Sequence, residues 1–125
     1  MHKVFTYGTL RKGCSRNYVL KDSSFLGEAT TAAKYSLYSL GSFPALTVDG
    51  KTSVLGELYE VSDEVLDLLD RIEGHPNFYT RSMVELSNGE EVYAYFLDGE
   101  FDNCSFIESG DWVSYIKDPC LTYTW

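Results

Sequence analysis

The chain has 125 residues, of which 44% are hydrophobic and 23% are charged, and its formal net charge is −9. These values are typical of a globular protein and exclude a disordered chain, which would lack the apolar surface needed to offset its conformational entropy. A chain of this length buries roughly two-thirds of its unfolded surface, so we expect one domain covering residues 1–125.

The first half of the chain is predicted to form a series of short strands. A strand over Lys3–Tyr7 ends at Gly8, and Arg16–Lys21 is predicted to form one helical turn. The alternation of apolar and polar residues over Val54–Val61 predicts a strand with both faces partly buried. Looser alternation predicts three strands between these, the last ended by a turn at Asp49-Gly50: Phe25–Thr31, Tyr35–Leu40 and Ala45–Val48.

The spacing of apolar residues changes at Ser62, where a helix over residues 62–73 is predicted to begin. The Ser62 hydroxyl can accept hydrogen bonds from the free backbone N–H groups of a first turn. Gly74 supplies a left-handed stop and Pro76 prevents the helix from continuing. Apolar residues at spacings of three and four predict one buried helix face: Val65, Leu66, Leu69 and Ile72.

Two strands are predicted after the helix, over Phe78–Leu86 and Glu91–Leu97. The loop between them contains Asn88-Gly89, a strong hairpin signal because both residues tolerate positive φ. The remainder, Phe101–Trp125, is aromatic and irregular. Many short strands with one strong helix predict an α+β fold, with a strongly bent sheet that can close as a barrel.

Several common functional classes have no signature in the sequence. Neither phosphate-binding pattern, G-x-x-x-x-G-K-[ST] or G-x-G-x-x-G, is present, and the G-x-S-x-G nucleophile elbow is absent. No apolar run approaches the ~20 residues that span a bilayer. Cys14, Cys104 and Cys120 are too few for a disulfide scaffold and, with two histidines, have no zinc-like spacing. We expect a cytoplasmic protein without a metal or a membrane contact.

Charge is distributed unevenly along the chain, and this argues against nucleic-acid binding. Five basic residues precede the first carboxylate, whereas the second half is strongly acidic and would repel phosphates. The basic segment is either solvated surface or a local attraction for one small anionic ligand. Its basic residues are Lys3, Arg11, Lys12, Arg16 and Lys21.

The segment that follows the first predicted strand is a candidate anion site. A strand that runs into Gly8 allows the backbone to turn sharply and approach a ligand closely. Successive N–H groups in such a turn can form a concavity that binds anions. On these residues alone, an ordinary turn remains the alternative.

Glu73 is the candidate titratable group, at the last turn of the predicted helix. It lies on the same face as Leu66 and Leu69, where a solvated glutamate would not be expected. The negative end of the helix dipole and partial burial would both raise its pKa. A surface glutamate at a frayed helix end is the alternative reading of the same residue.

Two motifs together suggest a family. Tyr7 begins the pattern Y-G-T-L-R-x-G, and Leu69 begins the pattern L-D-x-x-E-G-x-P-x-x-Y-x-R. This pair resembles the gamma-glutamylcyclotransferase-like superfamily, and looks most similar to the small branch that includes gamma-glutamylamine cyclotransferases. The pattern S-G-D-W-x-x-Y beginning at Ser109 resembles the C-terminal region of that branch.

The resemblance implies a small mixed β-barrel with packed helices and a defined site. In such a protein the turn Tyr7, Gly8, Thr9 and Leu10 holds the α-amino and α-carboxylate end of a gamma-glutamyl group, and Glu73 is the catalytic acid/base. Tyr79 is expected to shape the pocket, whereas Phe78 is expected in the core. The implied reaction releases 5-oxoproline and an amine, with the substrate's own α-amine as nucleophile, and needs no cofactor.

Two alternatives accompany this hypothesis. One is a non-catalytic binding or interaction protein on the same fold. The other is an enzyme that removes a gamma-glutamyl group from a larger product with the same turn and glutamate. The departing amine is not specified by the motifs, although the acidic second half of the chain could favour a cationic one.

Overall fold

Short strands and one long helix are also the main elements of the computed structural model, which describes residues 1–99, 101 and 104–116. No helix among these residues has both the length and the apolar character needed to cross a membrane. The strands are β1 (His2–Thr6), β2 (Ser24–Thr30), β3 (Tyr35–Ser39), β4 (Pro44–Thr52), β5 (Leu55–Val61), β6 (Thr80–Glu85), β7 (Glu91–Phe96) and β8 (Ser105–Phe106). The helices are α1 (Asp63–Glu73), α2 (Trp112–Ile116) and a 3-10 turn over Asn17–Leu20.

Two sheets form the framework of the fold. Five strands pair in the order β2-β5-β1-β7-β6, with β1 antiparallel to β5 and parallel to β7. The other three pair in the order β4-β3-β8. Strand β1 is therefore central, and the residues that follow it emerge in the middle of the larger sheet. The α+β class predicted from the sequence is confirmed.

The closed barrel expected from the resemblance is not confirmed, because both sheets are open in the described residues. The edge strands of the larger sheet, β2 and β6, meet at their ends in a bridge between Thr31 and Leu86. Beyond it, β3 and β4 pair with each other instead of extending the larger sheet. The smaller sheet is joined to β7 by a hydrogen bond from Leu97 N–H to Leu46 O, at 3.1 Å.

Core residues lie on both faces of the larger sheet, as expected when successive residues of a strand point to opposite sides. Phe5 packs in a cluster with Leu37 and Leu46 of the smaller sheet. Its neighbour Val4 packs in a second cluster with residues of α1, including Leu69. The sheet is thus covered by the second sheet on one side and by α1 on the other.

Helix α1 has the ends predicted from the sequence. The Ser62 hydroxyl accepts a hydrogen bond from Val65 N–H at 3.2 Å, and Gly74 has the left-handed φ of 71° that ends the helix. Its buried residues are Leu66, Leu69 and Glu73. The predicted buried face therefore continues to the last turn and includes the carboxylate.

Three local predictions differ from the structure. Asp49-Gly50 does not end β4: it lies in a bulge, where a Gly50 side chain would collide with Tyr35 O at 2.4 Å. In the hairpin loop, Gly89 has positive φ but Asn88 does not, so the expected turn with positive φ at both residues is not formed. The loop is closed instead by a hydrogen bond from Leu86 N–H to Glu90 O. Part of Phe101–Trp125 is regular, in β8 and α2, whereas Cys120, Tyr123 and Trp125 lie outside the described residues.

Candidate active site

A cavity of about 350 Å³ opens where β1 ends, against the C-terminal end of α1. The turn after β1 forms one wall, and the loop between β3 and β4 forms another. The two segments identified from the sequence therefore line the same cavity. They are far apart in the chain: Thr9 and Ile72, for example, are separated by 63 positions. The lining residues include all six predicted site residues, Tyr7, Gly8, Thr9, Leu10, Glu73 and Tyr79.

Glu73 contributes a buried carboxylate to this cavity. It is 7% exposed, because it continues the face of α1 that packs on the sheet. Burial raises the pKa of Glu73, since an ionised carboxylate loses hydration there, while the positive charge of Arg16 opposes the shift. Arg16 Nη1 lies 3.7 Å from Glu73 Oε1, and the Arg16 side chain is 46% exposed. The structure therefore supports the buried alternative for Glu73.

Two tyrosine hydroxyls beside Glu73 are held by backbone carbonyls. Tyr7 donates to Tyr95 O, and Tyr79 donates to Pro44 O at 2.7 Å. Burial raises the pKa of Tyr7 and of Tyr79 above the ordinary value, and nearby Glu73 adds to both shifts. Both phenols therefore stay protonated, and they present neutral walls to the cavity.

The turn after β1 is closed by its own backbone. Arg11 N–H donates to Gly8 O at 3.0 Å, and Arg16 N–H donates to Thr9 O at 2.9 Å. Gly8 is required here for a reason that differs from the predicted sharp turn. A side chain at Gly8 would meet Pro44 Cγ at 2.7 Å, so the glycine allows the turn to pack against β4.

A buried ionic cluster anchors this turn to the rest of the molecule. Arg11 Nε donates to Glu57 Oε2 at 3.3 Å, and Arg11 Nη1 donates to Asp111 Oδ1 at 2.9 Å. Lys12 N–H donates to Glu57 Oε1 at 2.8 Å, so the backbone is held by the same carboxylate. We name Arg11, Glu57 and Asp111 the anchor cluster.

The anchor cluster was not predicted from the sequence, although one signal was present. Glu57 shares the parity of Leu55, Tyr59 and Val61 along β5, so its side chain lies on a face otherwise occupied by apolar residues. A charged residue in that position indicates a buried partner. The identity of the partner depends on the tertiary structure.

A second polar cluster fixes α1 against the hairpin. Tyr95, which lines the cavity, donates its hydroxyl to Asp70 Oδ1 at 2.7 Å, and Arg81 Nη1 lies 3.4 Å from Asp70 Oδ2. The backbone N–H of Arg81 donates to His75 Nδ1 at 2.9 Å. These contacts join the segment on either side of Glu73 to β6 and β7, and so restrict its position.

Two placements differ from what the sequence suggested. Phe78, expected in the core, is 53% exposed and lines the cavity, where its ring packs edge-to-face with Phe43 at a separation of 6.0 Å. Arg16, not predicted as a site residue, also lines the cavity. Within the described ranges, no group of three or more His, Cys, Asp or Glu residues is arranged to hold a metal ion.

Comparison with known proteins gives a consistent family. The sequence profile described as gamma-glutamyl cyclotransferase, AIG2-like, matches residues 4–114. A Vibrio cholerae protein, provisionally named a gamma-glutamylcyclotransferase, is 41% identical over 115 residues, which cover 92% of this chain and 98% of its own. A gamma-glutamylaminecyclotransferase B of Danio rerio is 38% identical over 103 residues, 72% of this chain and 54% of its own.

Solved structures agree with these matches. An uncharacterised protein from Pyrococcus horikoshii superposes with a TM-score of 0.81 and 28% identity, and each chain is covered completely. An AIG2-like protein from Mus musculus superposes with a TM-score of 0.74 and 29% identity, over 89% of this chain and 88% of its own. The fold described above is thus shared with AIG2-like proteins.

Proposed function

The chain belongs to the gamma-glutamyl cyclotransferase, AIG2-like family, and on that premise we propose that it converts a gamma-glutamyl amine or gamma-glutamyl peptide into 5-oxoproline and a free amine. Family membership supports cyclotransferase activity in general. The observation that carries the specific reaction is the buried carboxylate of Glu73, which faces the turn Gly8–Leu10 across one cavity.

The turn after β1 is proposed to hold the glutamyl end of the substrate. Backbone N–H groups can bind an α-carboxylate through charge-assisted hydrogen bonds, and the anchor cluster keeps the turn in place. A held glutamyl chain brings its own α-amine close to its γ-carbonyl. Because the attack is intramolecular, positioning alone can supply effective molarities of ~10⁵ M or more.

Glu73 is proposed to move the protons of this reaction. The α-ammonium first releases one proton to solvent and becomes a nucleophile, and its nitrogen then bonds to the γ-carbonyl carbon. The carboxylate accepts the second proton from that nitrogen and passes it to the departing nitrogen, whose bond to the carbonyl carbon breaks. A raised pKa suits this exchange, since burial makes the carboxylate a stronger base than an exposed glutamate and so a better acceptor for the proton of the attacking nitrogen.

The walls around Glu73 support the same assignment. Tyr7 and Tyr79 are neutral and have committed their hydroxyl protons to carbonyl groups, so they do not compete for the protons of the reaction. Both tyrosines are buried and line the same cavity as Glu73. Their proposed roles are therefore to shape the pocket and to maintain its low polarity.

A Glu73→Gln variant tests the proposal. The purified chain would be supplied with a panel of gamma-glutamyl amines and dipeptides, and released 5-oxoproline would be measured by mass spectrometry. We expect turnover by the wild type and a ~10²–10⁴-fold loss in Glu73→Gln, the usual contribution of a positioned acid/base. Glu64→Gln, an exposed change on the same helix, is the matched control and should keep full activity.

The controls separate the alternatives. Undiminished release of 5-oxoproline by Glu73→Gln would remove Glu73 from the mechanism. Absence of turnover across the panel, together with binding of 5-oxoproline measured by calorimetry, would favour the non-catalytic binding protein. Turnover only of substrates with a large departing group would favour an enzyme that trims larger products.

A further inference from the structure

We propose that Asp70 is a positioning residue for this reaction, and that it holds the last turn of α1 so that the Glu73 carboxylate keeps its place in the cavity. Asp70 is not among the described residues that line the cavity, so its effect on the reaction passes through Glu73. The inference rests on the proposed function and extends the set of residues on which that function depends.

Glu73 stands at the end of its helix, where the helix alone gives little support. It is the last residue of α1, and Gly74 ends the element. The last four carbonyl groups of a helix have no partners within it, so a terminal turn frays unless outside groups hold it. Asp70 precedes Glu73 by three positions, so the two side chains are neighbours on one side of the helix. A contact that fixes Asp70 therefore also fixes the turn that carries Glu73.

The carboxylate of Asp70 is held by two strands. The Tyr95 hydroxyl of β7 donates to Oδ1 at 2.7 Å, and Arg81 Nη1 of β6 lies 3.4 Å from Oδ2. The side chains of Asp70 and Arg81 are 19% and 22% exposed, so solvent competes little for this contact. Burial, and next the hydrogen bond to Asp70, raise the pKa of Tyr95, so the phenol keeps the proton that it donates. The helix is thus tied to the sheet directly before its last turn.

Contacts beyond the helix complete this support. His75 N–H donates to Asp70 O at 2.9 Å, and Arg81 N–H donates to His75 Nδ1, also at 2.9 Å. Because Arg81 also contacts the Asp70 carboxylate, Asp70, His75 and Arg81 form a closed ring of contacts. Within the segment that this ring closes, Tyr79 N–H donates to Glu73 O at 3.2 Å. Loss of the Asp70 carboxylate opens the ring and allows the turn of Glu73 to shift.

Tyr95 connects this support to another wall of the cavity. Its hydroxyl holds Asp70, and its backbone carbonyl accepts the hydroxyl of Tyr7, the first residue of the turn proposed to hold the glutamyl end. The position of the substrate and the position of Glu73 therefore depend on the same residue of β7. A misplacement of about 1 Å can lower a rate by ~10²-fold, so this shared support has a direct effect on turnover.

A double-mutant cycle with Glu73 tests the inference. Asp70→Ala would be made in the wild type and in Glu73→Gln, and kcat and KM would be measured with the most rapidly converted substrate of the panel. In the wild type, we expect kcat to fall by ~10–100-fold and KM to change by less than about twofold, because the turn after β1 is not altered. In Glu73→Gln, the same change should lower kcat by less than about twofold, since the group that Asp70 positions has already lost its function.

The cycle separates positioning from a general effect on stability. A purely structural role would reduce the folded fraction, and kcat would then fall by the same factor in both backgrounds. Asp67→Ala is the matched control, because Asp67 is exposed on the same helix, three residues before Asp70. It should leave kcat and KM unchanged.

Tyr95→Phe gives an independent test should Asp70→Ala not fold. It removes the hydroxyl that holds Asp70 but retains the ring and the carbonyl that accepts Tyr7. We expect kcat to fall by about threefold to tenfold, less than in Asp70→Ala because Arg81 remains in contact with Asp70, and no further loss in Glu73→Gln. Tyr93→Phe, the same change two residues earlier on β7, should leave kcat unchanged.

The outcomes distinguish the inference from the proposed function. Equal losses in both backgrounds would show that Asp70 does not act through Glu73, and the inference would be wrong. An unchanged kcat in both Asp70→Ala and Tyr95→Phe would overturn it while leaving the proposed function intact. A wild type that releases no 5-oxoproline from any substrate of the panel would contradict the proposed function and, with it, the inference.

Discussion

Glu57 and Glu73 are buried to nearly the same extent, 5% and 7% exposed, but their surroundings differ. Glu57 is paired with the buried guanidinium of Arg11 and also accepts the backbone N–H of Lys12 at 2.8 Å. Glu73 faces a cavity and has Arg16 at 3.7 Å, a side chain that is half exposed. Burial by itself therefore does not distinguish a structural carboxylate from a reactive one.

The difference lies in how completely the charge is compensated. A buried carboxylate with close donors on both oxygens is suited to holding two segments together. A buried carboxylate with one distant partner, such as Glu73, loses hydration that its partner does not replace. Its ionised form is therefore disfavoured, and its pKa rises. Each role follows from the partners that the fold supplies.

The largest effect is expected when the compensated carboxylate is removed. Glu57→Leu leaves Arg11 buried with Asp111 as its remaining partner, and we expect a loss of about 3 kcal/mol in the free energy of unfolding. Urea unfolding followed by fluorescence would measure it. Glu60→Leu on the same strand, at a half-buried position, should change stability by less than about 0.5 kcal/mol. Equal stability of the two variants would mean that the anchor cluster does not stabilise the fold.

Removal of the Glu73 charge should stabilise the fold, whereas removal of the Glu57 charge should destabilise it. The pKa of Glu73 in the folded state is raised above its ordinary value of 4.5, so the folded state binds more protons than the unfolded state between these values. Stability therefore falls as pH rises through this window and remains lower above it. Glu73→Gln, which has no charge to bury, should melt at a higher temperature than the wild type above the window.

The pH dependence is the sharper part of that prediction. Below pH 4.5 the wild-type carboxyl is neutral in both states, so the difference in melting temperature should disappear. Thermal unfolding of both proteins at several pH values would measure it, with the exposed change Glu64→Gln as control. A Glu73→Gln variant that is less stable than the wild type at neutral pH would show that the carboxylate is compensated after all.

The smallest effect is expected in the turn that the anchor cluster holds. Thr9 lines the cavity, and its backbone carbonyl accepts Arg16 N–H at 2.9 Å, a contact that Thr9→Ala retains. We expect less than a tenfold fall in kcat/KM, about the value of one neutral hydrogen bond, because the backbone supplies most of the binding. If Thr9→Ala lost more activity than Glu73→Gln, the roles proposed for the turn and for the glutamate would be wrong.

Local patterns in the sequence predicted the elements and the family well. The limits of α1 followed from Ser62 and Gly74, and strand alternation indicated most of the sheet, because capping and periodicity act over a few residues. Periodicity also placed Glu73 on the apolar side of α1, but it left a surface glutamate at a frayed helix end as the alternative, and only the structure shows that Glu73 is buried. The two motifs that identify the family are contiguous in the chain and could be recognised without a structure.

Other features were decided by tertiary contacts. The anchor cluster joins residues separated by 46 and 100 positions, and no local pattern specifies such pairs. The sequence analysis expects Phe78 in the core, yet its side chain is 53% exposed and lines the cavity. The sequence by itself thus determined that Glu57 and Glu73 share a face of their elements with apolar residues, since the face follows from periodicity. Only the tertiary structure decided which of them is compensated, because compensation depends on partners from distant segments.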